Sequence, residues 1–145
     1  MPKASVKRLI NKKKDKLIDF VLDIEQYPQF IPFCESSKIY EKTENSEQIN
    51  IVADLTIGKG PFIDTFKSDV KLKKKKDEIN VKNIGGPLNY LSNNWKFTEK
   101  GNMTEVYFEI DFEIKNKFLN ILMTKSFNFG LEKIADAFQK RAEEL

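Results

Sequence analysis

The chain of 145 residues has no histidine and only one cysteine, Cys34. Histidine is the commonest general base and metal ligand in proteins, and a thiolate zinc site needs several cysteines. The sequence therefore argues against a metal centre and against catalysis by a serine–histidine or cysteine–histidine pair. A single cysteine also excludes an internal disulfide, and we expect Cys34 to be a small buried side chain.

Arginine is scarce too, because only Arg8 and Arg141 among the 25 basic residues are arginines. Arginine makes the bidentate contacts to phosphate and guanine on which sequence-specific DNA binding depends, so we expect no DNA partner. Lysine is sufficient for a diffuse anionic surface, such as a phospholipid leaflet or a ribosome, and a merely solvated surface is the alternative. The predicted contact is a run of four lysines, Lys73, Lys74, Lys75 and Lys76.

No apolar run approaches the roughly 20 residues that a membrane-spanning helix requires. The longest candidate near the C-terminal helix, at 118–123, is interrupted by Asn120. Basic residues begin at Lys3 and leave no apolar stretch of about 7–15 residues, so the N-terminus does not resemble a signal peptide. We expect a cytoplasmic protein that can lie peripherally on the inner membrane.

The composition is typical of a packed globular protein, with 40% apolar residues, 32% charged residues and twelve phenylalanines. A chain of this length can bury roughly 68–70% of its unfolded surface around one core. We therefore expect a single domain over residues 1–145.

Hydrophobic periodicity changes twice along the chain. After a short predicted strand at 4–10, helical spacing predicts a helix from about Lys12 to Asp23, with Asn11 as its N-cap. Period-two alternation then predicts antiparallel strands, and from about Lys117 the helical period returns. Turn residues separate the predicted strands at 45–46, 58–61, 76–77, 85–87 and 101–102.

A sheet with one apolar face must cover that face, and the C-terminal helix is the only long amphipathic element available. We therefore predict an α+β fold in which a curved antiparallel sheet wraps around this helix. Gly130 is a candidate kink. The apolar stripe of the helix contains Phe127, Leu131, Ile134, Phe138 and Ala142.

The most distinctive motif lies at residues 27–34, where Tyr-Pro-Gln-Phe-Ile-Pro-Phe-Cys combines four large apolar side chains with two prolines. Proline fixes its own φ and biases the preceding residue toward extended geometry, so these residues cannot form one regular helix. We call residues 27–34 the proline segment and predict that it forms a short, bent, apolar lid.

The proline segment resembles the Tyr-Pro-x-Phe-x-Pro-Trp-Cys signature of a START-like family. In this chain Phe33 stands where that signature has tryptophan. That family belongs to the polyketide cyclase/dehydrase and lipid transport superfamily and contains coenzyme Q-binding proteins and ribosome-association toxins. Asp69 is a departure, because the family usually has arginine there. Further matches follow in order at 86–88 (Gly-Pro-Leu), 93–97 (Asn-Asn-Trp-Lys-Phe), 111–113 (Asp-Phe-Glu), 116–117 and 137–142.

The resemblance implies a helix-grip fold with β-α-α-β6-α order, about seven strands and a cavity between the sheet and the last helix. Aromatic residues are the first candidates for its lining, because large planar rings leave gaps more readily than leucine and valine do. Simple filling of the core is the alternative. The predicted lining consists of Tyr27, Phe30, Phe33, Phe66, Trp95, Phe108, Phe112, Phe127, Ile134 and Phe138.

Four polar residues share strand faces with these apolar side chains: Asp64, Ser68, Asn83 and Asn93. Buried polar groups need hydrogen-bond partners, so they either bond each other and water or bind a ligand. A quinone ring with two carbonyl acceptors would suit Ser68, Asn83 and Asn93 as donors. Exposure at the strand ends is the alternative.

The resemblance implies non-enzymatic binding of a hydrophobic ligand, most readily ubiquinone or another polyisoprenoid lipid, in support of respiratory electron transport. No cofactor is required for this role. Binding to a ribosomal subunit, which blocks subunit association, is the first alternative. Aromatic polyketide cyclase activity is the third hypothesis, and it lacks an evident catalytic acid or base.

Overall fold

A computed structural model describes residues 3–58, 61 and 63–145, with the backbone alone described at 119 and 122–129. Seven strands and two α-helices follow one another in the predicted order, with a short 3-10 helix at Ile24–Gln29 in the place of the second helix. Their bounds are β1 Lys3–Ile10, α1 Lys14–Leu22, β2 Cys34–Glu44, β3 Gln48–Ile57, β4 Asp64–Lys73, β5 Glu78–Gly85, β6 Leu88–Lys100, β7 Met103–Ile114 and α2 Lys117–Glu143.

The strands form one antiparallel sheet in the order β1-β7-β6-β5-β4-β3-β2, so β1 and β2 are its edges. The α+β prediction with seven strands is confirmed. Gly86 lies in the β5–β6 turn at a position where only glycine fits without strain. Its φ is +109°, and an added Cβ would lie 2.6 Å from the carbonyl oxygen of Thr65.

Helix α1 begins at Lys14 rather than Lys12, and Asn11 is not its N-cap. The Asn11 backbone N–H instead donates to the Glu143 carboxylate at the end of α2. A cation in the first turn of a helix is unfavourable. Here the Lys14 ammonium lies 3.0 Å from the carboxylate of Asp77 in the β4–β5 turn, and this ion pair offsets the unfavourable position.

Helix α2 lies across the concave face of the sheet, and its C-terminal half is bonded to β1. The Arg8 guanidinium donates to Glu132 at 2.6 Å, to Asp136 at 2.7 Å and to Gln139 at 3.3 Å. Gly130 precedes this bonded half, and an added Cβ there would meet none of the described atoms within 4 Å. Within the described ranges, no helix is long and apolar enough to span a membrane.

The core lies between the concave face, α1, the 3-10 helix and the end of α2. Alternation along β3 buries Ile51 and Ala53, and the same pattern buries Val70 on β4 and Ile79 on β5. Ala142, near the end of α2, is fully buried and belongs to this core. Side chains of the opposite parity on these strands face outward, which is the arrangement that period-two alternation predicts.

Candidate functional site

A cavity of about 200 Å³ lies between the concave face and α2. We call it the larger cavity. Strands β3 to β7 form its floor, Ile134 and Phe138 of α2 form one wall, and Tyr27 closes it from the 3-10 helix. Ser68 and Asn93 are the polar residues in a lining that is otherwise mainly aliphatic and aromatic.

A second cavity of about 60 Å³ lies toward β1 and α1. We call it the smaller cavity. It is lined by apolar side chains such as Leu17, Phe20 and Leu131, and by Arg8 at its border. Five of the described residues line both cavities: Val21, Trp95, Phe108, Ile134 and Phe138.

Phe138 stands at the centre of an aromatic cluster beside both cavities. Its ring centroid lies 5.3 Å from that of Phe30, 5.4 Å from that of Tyr27 and 5.7 Å from that of Phe20. The Trp95 ring is 5.4 Å away on its other side. These contacts are edge-on, as aromatic pairs prefer, and they connect α2 to the 3-10 helix and the sheet.

The hydrogen bonds of the polar residues leave one side chain free. The Asn93 amide donates to the Glu109 carbonyl at 2.8 Å and accepts from the Trp95 indole N–H at 3.0 Å. The Asn83 amide is directed to the Leu88 carbonyl. No partner for the Ser68 hydroxyl is found in the described part of the chain, although Ser68 is only 8% exposed and lines the larger cavity.

Burial also raises the pKa of Tyr27 and Cys34, the ionisable side chains among the described residues that line the larger cavity. The Tyr27 hydroxyl is buried and donates to the Val21 carbonyl, and burial raises the pKa of this phenol well above its ordinary range. Burial likewise raises the pKa of the Cys34 thiol. Both groups therefore stay neutral at physiological pH, and Cys34 lacks the lowered pKa of a reactive cysteine.

The structure brings together some of the predicted site residues and separates others. Phe30 packs on Phe20 and Phe138 and does not itself line either cavity. Phe66, Asn83 and Phe112 lie on the concave side of the sheet but line neither cavity. The side chain of Phe127 lies outside the described residues. Those that line the larger cavity are Tyr27, Ser68, Asn93, Trp95, Phe108, Ile134 and Phe138.

The predicted inward orientation of Phe33 was wrong. Phe33 has a φ of +66° and is 49% exposed, because the left-handed backbone turns its side chain away from the interior. Asp64 is exposed at the first position of β4, which agrees with the alternative that some of the four polar groups are exposed at strand ends. The main-chain carbonyl of Phe33 still joins the fold by accepting from the Gly58 N–H at 2.9 Å.

The lysine run at 73–76 is far from the proline segment. It lies in the β4–β5 turn, whereas Phe33 contacts Gly58 just beyond the other end of β3. Ten residues of strand at about 3.4 Å each separate the two sites by about 30 Å. Lys74 also forms an ion pair within the protein. Its ammonium lies 2.7 Å from the Glu44 carboxylate and lowers the pKa of that acid.

Sequence reasoning missed several lining residues. Phe20 stacks on Phe30 with a centroid distance of 5.3 Å and lines the smaller cavity. It falls three residues after Leu17 on α1, so helical spacing could have found it. Cys34 and Ile31 also line the larger cavity, and the apolar character of the proline segment was the signal for both. No cluster of three potential metal ligands occurs among the described residues.

The sequence model of the polyketide cyclase / dehydrase and lipid transport family matches residues 10–139. The chain belongs to this family. It is 32% identical over 142 residues to the ribosome association toxin RatA of Rickettsia prowazekii, covering 95% of this chain and 94% of that one. It is 25% identical to the mitochondrial coenzyme Q-binding protein COQ10 of Dictyostelium discoideum, covering 90% of this chain and 64% of that one.

A solved START superfamily protein from Mycobacterium smegmatis shares the fold of this family member. The two structures superpose with a TM-score of 0.80 at 18% identity, covering 98% of this chain and 97% of that one. The similarity confirms the predicted helix-grip arrangement of a curved sheet around a C-terminal helix.

Proposed function

We propose that this protein is a non-enzymatic lipid-binding protein that holds ubiquinone or a similar ring-bearing polyisoprenoid and so supports respiratory electron transport. The free Ser68 hydroxyl carries the proposal, because it is a buried donor facing an apolar cavity. The Ser68 hydroxyl borders the larger cavity and has no partner among the described residues, so a ligand carbonyl there could accept a hydrogen bond from it. The 25% identity to a coenzyme Q-binding protein supports this choice.

The size of the larger cavity limits which part of such a lipid it encloses. An apolar cavity of about 150 Å³ holds a benzene molecule, so a cavity of about 200 Å³ fits one substituted ring. It is too small for a long polyisoprenoid chain. We therefore place the ring beside Ser68, with most of the tail outside the larger cavity.

Ser68→Ala should weaken binding of a short-tailed quinone about fivefold, because a net hydrogen bond contributes about 1 kcal/mol. Quenching of the single tryptophan, Trp95, measures this directly, since Trp95 lines the same cavity. Ser92→Ala on the exposed face of β6 is the matched control and should leave affinity unchanged. Equal affinity of the Ser68 and Ser92 variants would contradict the placement of the ring.

Membrane contact is the second part of the proposal, and we locate it at the rim, the end of the sheet where β3 and β5 end and α2 begins. Phe118 and Ile121 at the start of α2 are 67% and 57% exposed, and Phe33 lies exposed at the same end. From 115 to 131 the sequence has three lysines and no acidic residue. This combination suits an anionic lipid surface better than the lysine run does.

Phe33→Gly should reduce co-sedimentation with phosphatidylglycerol liposomes by about tenfold, because an inserted phenylalanine contributes roughly 1.5–3 kcal/mol. Glycine also accepts the φ of +66°, so the fold is retained. Leu9→Ser, at an equally exposed position on β1, is the control and should have no effect. Loss of binding in a Lys75→Gln, Lys76→Gln variant, with Phe33→Gly unaffected, would move the contact to the lysine run.

Ribosomal subunit binding is the second candidate function, favoured by the 32% identity to a ribosome association toxin along nearly the whole chain. Co-migration with a subunit in a sucrose gradient, together with a shift in subunit association, would establish it. Cyclase activity is a weaker candidate despite the family description. The ionisable lining groups Tyr27 and Cys34 have raised pKa values, and Arg8 is held by two carboxylates.

A further inference from the structure

Tyr40 is an exposed aromatic side chain on the convex face of the sheet, the side away from both cavities. It is the extra residue of a bulge in β2, because the register with β3 passes from Ile39 to Glu41 without giving Tyr40 a partner. Bulges redirect side chains, and here the Tyr40 hydroxyl donates to the Asp54 carboxylate on β3 at 2.6 Å. The ring, which is 52% exposed, is therefore held in place on the surface.

Two lysines flank this ring. The ammonium of Lys38 lies 4.9 Å from the Tyr40 ring centroid, and that of Lys67 lies 5.3 Å from it. Both lysines are cross-strand neighbours of Asp54, yet neither forms an ion pair with a carboxylate in the part of the chain that the structure describes. Their charges are therefore available to an anionic partner.

The basic surface continues along the convex face beyond the ring. Lys71 on β4 and Lys82 on β5 point to the same side of the sheet, and neither has an ion pair among the described residues. Asp69, which lies between Lys67 and Lys71 on β4, accepts from the Asn50 amide at 2.8 Å. Lys71 is about 14 Å from Lys67 along the strand, so the cations form a row. We call these residues the tyrosine patch: Lys38, Tyr40, Lys67, Lys71 and Lys82.

Tyr107 on β7 provides a comparison on the same face. The ammonium of Lys7 lies 6.0 Å from its ring centroid, but this lysine is paired with the Glu105 carboxylate at 3.3 Å. The Tyr107 hydroxyl is directed to the Glu109 carboxylate. An aromatic ring beside carboxylates does not attract a polyanion, so Tyr107 is a matched control for Tyr40.

An exposed ring with lysines beside it has the chemistry that binds single-stranded nucleic acid, because a base stacks on the ring and phosphates contact the lysines. Stacking of one base contributes about 5- to 150-fold in affinity, whereas an exposed cation–π contact contributes only about 2- to 5-fold. A base therefore displaces a lysine from the Tyr40 ring. Lysine also suits binding without sequence preference, since it lacks the bidentate geometry of arginine.

We propose that the tyrosine patch binds single-stranded RNA. The similarity to a ribosome association toxin favours RNA over DNA as the partner. This inference rests on the second candidate function, ribosomal subunit binding, and adds to it a surface and a mode of contact. It is independent of the quinone proposal, because the patch and the cavities lie on opposite faces of the sheet.

Fluorescence anisotropy with a labelled oligouridylate tests the contact on the full chain. Tyr40→Ala should weaken binding by about tenfold or more, and Tyr107→Ala should leave it unchanged. A Lys38→Gln, Lys67→Gln variant should reduce the slope of log affinity against log salt by about 1.4, because each phosphate contact on a single strand contributes about 0.7. Tyr40→Ala should not alter that slope, nor the binding of an RNA duplex, whose paired bases cannot stack on the ring.

Co-migration with a ribosomal subunit in a sucrose gradient separates this contact from the function. If the wild type binds oligouridylate through Tyr40 but no subunit, the ribosomal candidate fails and the RNA contact stands. If it binds a subunit, but Tyr40→Ala and Tyr107→Ala bind oligouridylate equally, the tyrosine patch is overturned. If Tyr40→Ala does not fold by circular dichroism, the double lysine variant decides, and an unchanged salt slope overturns the proposal.

Discussion

Phe108→Asp should eliminate saturable quenching of Trp95 by a short-tailed quinone, with a loss of affinity of about a hundredfold or more. Phe108 lines both cavities, and its ring centroid is 4.7 Å from that of Trp95. Among the described residues that line the two cavities, Arg8 is the cation available to a carboxylate there, and two acids already bind it. The charge is therefore unpaired and incompatible with an apolar ligand.

Phe108→Leu is the matched control, because it keeps an apolar side chain at the same position on β7. We expect its affinity to fall no more than a few-fold, as volume-reducing apolar changes do when the site relaxes. Both variants must unfold cooperatively before their binding is compared. Retained quinone binding in the folded Phe108→Asp variant would show that the ligand occupies neither cavity.

Gly86→Ala and Gly130→Ala should change stability in opposite directions. At Gly86 an added Cβ would meet a backbone oxygen at 2.6 Å, with φ at +109°, so we expect a loss of about 2–4 kcal/mol. At Gly130 an added Cβ meets no atom of the described part of the chain within 4 Å, and alanine is favoured over glycine in a helix by about 1 kcal/mol.

Thermal unfolding measures both effects, at about 3 °C per kcal/mol for a chain of this size. Gly130→Ala should raise the melting temperature, and Gly86→Ala should lower it by several degrees. A melting temperature for Gly86→Ala equal to that of the wild type would mean that the β5–β6 turn differs from the structure described above.

The fold was largely predictable because two periodicities dominate the chain. Alternation on β3 and β7 and the stripe on α2 depend on local spacing, and turn residues at 45–46, 76–77, 85–87 and 101–102 mark the hairpins correctly. The start of α1 was missed by two residues. The Lys14–Asp77 ion pair joins residues 63 positions apart, and a pairing of this kind cannot be derived from local sequence.

The candidate site was less predictable, because parity gives the face of a strand but not the position of a cavity along it. Phe66 and Phe112 lie on the expected concave face but beyond the linings, toward the rim. Asn83 was a sound candidate by parity, yet its amide bonds the Leu88 carbonyl across the β5–β6 turn. The exposure of the Phe33 side chain depends on a positive φ, and no residue pattern in the sequence indicates that angle.

Mass spectrometry of an organic extract from protein purified without detergent tests the proposal that this protein binds a quinone. We expect a quinone or related ring-bearing lipid in near-stoichiometric amount with the wild type, and a strongly reduced amount with Phe108→Asp purified in the same way. Extracts from the two proteins that contain equal traces of lipid, with no quinone enriched in the wild type, would contradict it.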